Sequence, residues 1–158
     1  MGEIFAGSEI IEIGIQIEKN GRDFYNALMV KSKDIKAQEC FKFLATEEEK
    51  HIKAFQGILE KTEENRGQGL NSDDYFAYMK SLASGYIFTK ENTGGKIARS
   101  IRSEGEAVEK AIGFEKESII FYEGIKKVVP DDDKEIIDFL IAQENEHLYK
   151  LTTIRALI

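Results

Sequence analysis

The chain contains two histidines, and each closes a Glu-x-x-His unit: Glu48 to His51 in "FLATEEEKH" and Glu144 to His147 in "FLIAQENEH". Residues three apart share a face of an α-helix, so a carboxylate and an imidazole can reach the same ion from one helix. Two further glutamates, Glu18 in "EKNGRDFY" and Glu115 in "EKESIIFY", occupy matching places upstream. Gathered in one layer, Glu18, Glu48, His51, Glu115, Glu144 and His147 would hold two divalent cations. The four carboxylates balance the charge of two ions, and neutral imidazoles fill remaining positions. Without ions, four clustered carboxylates in an interior would repel one another and have to take up protons. One His per ion among carboxylates suits iron, manganese or a mixed pair, whereas structural zinc uses Cys with His.

For the six residues to meet, the elements carrying them must be level. Apolar residues at helical spacing predict four helices, at about 8–31, 35–64, 103–129 and 132–157, with Ser8 as the first N-cap. "ENRGQG" is expected to end the second, and Pro130 followed by "DDD" to end the third and cap the fourth. Residues 65–102 read as a crossover with a short helix in "DDYFAYMKSLASGYIF" and a loop at "KENTGGK". The "TGGK" there is not a phosphate loop, because Lys90 stands where the first glycine belongs and Ile97 follows Lys96.

The two halves repeat at offsets of 97 residues for the first-helix segments and 96 for the second. The midpoint between Glu18 and Glu48/His51 falls at Asp34, and that between Glu115 and Glu144/His147 at Pro130, each in an expected turn. At about 1.5 Å per residue, all six groups then lie roughly 20 to 25 Å from their turns. The expected fold is all-α: an antiparallel four-helix bundle of two hairpins, forming one domain over 1–158.

Tyr25 and Tyr122 each follow a first-helix Glu by seven residues, nearly on its face. They read as core aromatics, as donors of a hydrogen bond to a bridging carboxylate, or as both. Glu47 and Glu49, turned about 100° from Glu48, are assigned to solvent or a helix flank. Cys40 is the single cysteine and excludes paired-Cys metal and redox motifs; it reads as a small core residue. A net charge of −7 with scattered Lys and Arg argues against nucleic acid. No long apolar run or basic leader appears at "MGEIFAGSE" or beyond, so a cytoplasmic protein that crosses no membrane is expected.

One Glu per first helix and two Glu-x-x-His units in a four-helix bundle resemble the ferritin-like di-iron carboxylate proteins. The near-symmetric halves and the Glu-x6-Tyr segments are most similar to the di-iron domain of rubrerythrin. The resemblance implies a two-iron site made by the six residues, with Glu48 and Glu144 bridging, Glu18 and Glu115 terminal, and Tyr25 and Tyr122 beside the chemistry. Its implied function is non-haem di-iron oxidoreduction, with hydrogen peroxide reduced at the expense of an external electron donor such as a rubredoxin-like protein.

Two departures stand out. Ser118 occupies the place of an extra family glutamate, leaving a more symmetric site, and no four-cysteine rubredoxin segment is present. The alternatives are a ferroxidase or iron-handling protein using dioxygen, and a helical interaction module with a vestigial site. The aromatics from Tyr75 to Phe88 would either cover their own bundle or serve a homodimer.

Overall fold

The computed structural model describes residues 6–64 and 73–157, and every regular element among them is helical. The elements are α1 (Ala6–Lys31), α2 (Ile35–Glu64), α3 (Asp73–Ser84), a 3-10 turn (Ile87–Thr89), α4 (Thr93–Ser100), α5 (Glu104–Ile125) and α6 (Asp131–Leu157). Helices α1 and α2 form one hairpin and α5 and α6 the other. The hairpins meet through α1 against α5 and α2 against α6. The fold is a helical bundle, as the sequence indicates.

Each hairpin turn has an identifiable stop. Asp34 Oδ2 accepts the N–H of Ala37 at 2.9 Å and caps α2. Glu104 Oε1 accepts from Ser32 Oγ and from the backbone N–H groups of Lys33 and Asp34, so the first residue of α5 satisfies the α1–α2 turn. Ser103 caps α5 by accepting from Glu106 N at 3.1 Å. Pro130, which lacks an N–H, begins the last helix by accepting from Asp133 N.

Several boundaries differ from the sequence reading. Ser8 lies inside α1, which already begins at Ala6, so it is not the cap. Helix α5 ends at Ile125 and not at 129; residues 126–128 form a turn whose N–H groups bond Tyr122, Gly124 and Ile125 carbonyls. Asp131, Asp132 and Asp133 form the first turn of α6 instead of its cap, where their charge still opposes the dipole favourably. From Asn65 onward "ENRGQG" lies outside the described residues.

The loop expected at "KENTGGK" contains the start of α4. The capping group comes from another helix: Asn20 Oδ1 accepts from Thr93 N and Gly94 N, both at 3.1 Å. Asn20 Nδ2 donates to Phe88 O and Lys90 O. At the far end, Lys31 Nζ donates to the carbonyls of Ala98, Arg99 and Ile101. Helix α1 thus holds α4 at both ends, which nothing within residues 90–96 announces.

The aromatic segment mostly covers its own bundle. Phe76, Met79 and Phe88 are buried, Phe88 packs on Phe24 and Phe114, and Tyr75 Oη donates to Gly124 O; Tyr78 is exposed. Among the described residues, no helix is long and apolar enough to cross a membrane.

Candidate metal centre

Four helices each bring polar groups to the middle of the bundle. Glu18 comes from α1, Glu48 and His51 from α2, Glu115 from α5, and Glu144 and His147 from α6. The four carboxyl groups are wholly buried and both imidazoles are 1% exposed. Beside them stand the buried Tyr25 and Tyr122, which pack on the buried Phe114 and Phe55, so the groups are removed from water among apolar rings.

Two overlapping sets of potential ligand atoms result. Glu18, Glu48, His51 and Glu144 form one, and Glu48, Glu115, Glu144 and His147 the other, the atoms of each lying within 4.8 Å of one another. Glu48 and Glu144 belong to both sets. His51 Nδ1 lies 2.8 Å from Glu144 Oε1 and 3.5 Å from Glu18 Oε2. His147 Nδ1 lies 3.4 to 3.7 Å from oxygens of Glu144, Glu115 and Glu48. The two rings are nearly parallel, with centroids 5.7 Å apart.

These atoms are close without being satisfied. Sealed from solvent and lacking hydrogen-bond partners are Glu18 Oε2, Glu115 Oε2, both oxygens of Glu48 and Glu144, His51 Nδ1, and both ring nitrogens of His147. Buried polar atoms are normally paired, and a cluster of orphans on six facing residues calls for an electrophile among them. Divalent cations meet that demand, and the oxygen-rich donor set with one imidazole per group fits iron or manganese.

The electrostatics agree. Burial, followed by repulsion from Glu144 and Glu18, pushes the Glu48 carboxyl well above its usual range. Glu115 is likewise raised, by burial and then by Glu144. Burial opposes charge on His51, but Glu18 and Glu144 prevail and push it up to about 11. His147 is pushed to about 10 by Glu115 and Glu144 against the same burial. Glu144 is held below the usual range: burial works against its charge, but the close side chains of Glu115, His147 and His51 outweigh it.

Without an ion the centre would hold protons at neutral pH where an ion needs lone pairs. Uptake of Fe(II) or Mn(II) is expected to release protons and to weaken steadily as pH falls from 8 to 6. Titrations in two buffers of different ionisation enthalpy check this. A pH-independent affinity would contradict it.

Both tyrosines are buried and reach across the bundle. Tyr25 Oη donates to Glu115 Oε1 at 2.7 Å, and Tyr122 Oη donates to Glu18 Oε1. Each phenol thus meets the first-helix glutamate of the opposite half, not one of the shared carboxylates. Burial, then the facing carboxylate, raises both phenols well above the ordinary range and keeps them proton donors.

Two assignments change. Glu47 is 8% exposed, not a solvated flank, while Glu49 does lie on a half-exposed flank and pairs with Arg22 at 2.9 Å. Cys40 is only half-buried, and burial pushes its thiol up to about 11, which suits an inert side chain. Gln143 escaped attention in the sequence: its Oε1 lies 2.6 Å from His51 Nε2. Its position immediately before the second Glu-x-x-His was the available signal.

Ser118, in the place of the extra glutamate, is buried and donates to Phe114 O at 3.0 Å. It adds no carboxylate to the centre.

Comparison with known proteins agrees with this architecture. The chain is similar to a ferritin-like diiron-carboxylate protein from Thermotoga maritima, with a TM-score of 0.69 and 26% identity over 95% of this chain and 94% of that one. No curated protein sequence matches it. The rubrerythrin family model matches residues 9–154, which take in most of each bundle helix and all six clustered residues. The chain belongs to the rubrerythrin family.

Proposed function

We propose that the protein is a non-haem di-iron oxidoreductase that reduces hydrogen peroxide to water, taking electrons from a separate donor protein. The observation that carries the reading is the pair of overlapping donor sets with Glu48 and Glu144 in common. Glu18, Glu48, His51 and Glu144 would hold one ion and Glu48, Glu115, Glu144 and His147 the other, Glu48 and Glu144 serving both. Two adjacent ions supply one electron each, which matches the two-electron cleavage of an O–O bond.

The protein's own residues supply the rest. The buried Phe55 and Phe114 beside Tyr122 and Tyr25 exclude bulk water and confine the oxidant to a small molecule. Reduction to water consumes two protons, and the buried Tyr25 and Tyr122 hydroxyls, already donating to Glu115 and Glu18, can steady those carboxylates as protons arrive. Ser118 in place of a further carboxylate leaves the donor set equal on the two halves.

Anaerobic loading with Fe(II), followed by mixing with peroxide or dioxygen, tests the reading. About two irons per chain and oxidation at least about tenfold faster with peroxide are expected, as for a site matched to that oxidant. Faster oxidation by dioxygen without peroxide turnover would favour a ferroxidase instead.

A further inference from the structure

The repeat that pairs Glu48 with Glu144 also pairs their neighbours, placing Glu47 on α2 where Gln143 stands on α6. Gln143 has a visible role. Its Oε1 accepts from His51 Nε2 at 2.6 Å across the α2–α6 contact, which leaves Nδ1 facing Glu18 and Glu144. His147 is turned the same way, with Nδ1 toward Glu48, Glu115 and Glu144. Its Nε2, however, is sealed from solvent and has no partner. Phe43 meets the imidazole edge-on and offers no acceptor of comparable strength.

The residue that the repeat assigns to this nitrogen is Glu47. Its carboxylate is buried yet engaged only at the margin of the bundle, with Oε2 3.0 Å from Lys50 Nζ, a side chain 69% exposed. Such an ion pair contributes little and yields readily to a side-chain rotation. A ligating imidazole, by contrast, almost always donates its other N–H to an acceptor.

We infer that Glu47 is the outer partner of His147, accepting its Nε2–H when an ion is held, so that one ion's imidazole is backed by a carboxylate and the other's by the Gln143 amide. The inference rests on the two-ion reading above. A carboxylate acceptor makes the imidazole a stronger donor than an amide does, so the ion among Glu48, Glu115, Glu144 and His147 is bound more tightly than that among Glu18, Glu48, His51 and Glu144. The centre is symmetric in its ligands and asymmetric one residue further out. Glu47 is a positioning residue acting through His147.

Anaerobic calorimetric titration of the full chain with Fe(II) tests this. The wild type is expected to show two steps, about tenfold or more apart. Glu47→Gln should weaken the tighter step by about 10- to 100-fold and merge the two, while Gln143→Glu should strengthen the weaker step. The double exchange, Glu47→Gln with Gln143→Glu, should separate them again, which a mere loss of packing would not do. If Glu47→Gln leaves both steps unchanged with the helical circular dichroism intact, the inference falls while the two-ion reading stands. Should Glu47→Gln fail to fold, Glu47→Asp decides: a weakened tighter step supports the inference and an unchanged one overturns it. No Fe(II) uptake by the wild type would overturn the two-ion reading itself.

Discussion

Glu144→Ala is expected to empty both metal positions at once. Its carboxylate lies 2.8 Å from His51 Nδ1 and 3.4 Å from His147 Nδ1, and belongs to both donor sets. Removing it strips each set of a ligand and leaves the imidazoles, drawn up to about 11 and about 10, without the anion they share. Iron bound after anaerobic loading should fall from about two per chain to near none, and peroxide turnover by at least about 100-fold, more than loss of an outer partner costs.

The comparison within the set is informative. Glu18→Ala and Glu115→Ala each remove a ligand from a single set and should retain about one ion, since the other set keeps all its members. The helical fold should persist in all three, because the apolar core is untouched. Circular dichroism and metal analysis on the same samples check this. Full iron content in Glu144→Ala would show that the shared carboxylate is not a ligand.

Gly94→Ala is expected to be the most damaging small substitution away from the centre. A methyl group there would lie 2.0 Å from Asn20 O and 2.8 Å from its carbonyl carbon, both backbone atoms that cannot rotate aside. Helix α4 would have to lift from α1 and loosen the contacts of Asn20 with Thr93, Gly94, Phe88 and Lys90. Overpacking of this kind costs about 3 kcal/mol, and for a chain of this length the melting temperature should fall by about 6 to 12 °C.

Gly57→Ala is the natural control. A methyl at this α2 position meets nothing within 4 Å, so the gain in helix propensity should raise stability by up to about 1 kcal/mol. Thermal denaturation of the two variants side by side separates close packing from intrinsic preference. An unchanged melting temperature in Gly94→Ala would mean that α4 does not sit on α1 as described. Asn20 is only two residues beyond Glu18, so the same seam also steadies one carboxylate of the centre.

The four long helices and the level of the polar layer were legible because both depend on neighbours in sequence. Apolar spacing, the turn at Asp34 and Pro130 set the hairpins, and equal distances from the turns brought Glu18 to the height of Glu48 and His51. The Glu-x-x-His geometry is likewise local, a property of one helical turn. The internal repeat then made each half a check on the other.

What the tertiary structure decided was every pairing between distant segments. Helix α4 depends on a cap from Asn20, some 70 residues away, so its own residues read as a loop. The tyrosines look past their own helix to the opposite half, a choice set by how α1 and α5 pack, not by the seven-residue spacing. The angle to Glu48 turns Glu47 toward solvent or a helix flank, but burial depends on what packs alongside, and Glu47 is 8% exposed. Sequence alone determined which groups share a height; only the packing of the two hairpins decided which atoms face one another, because side-chain partners across a bundle are set by interhelical contact and leave no local periodicity.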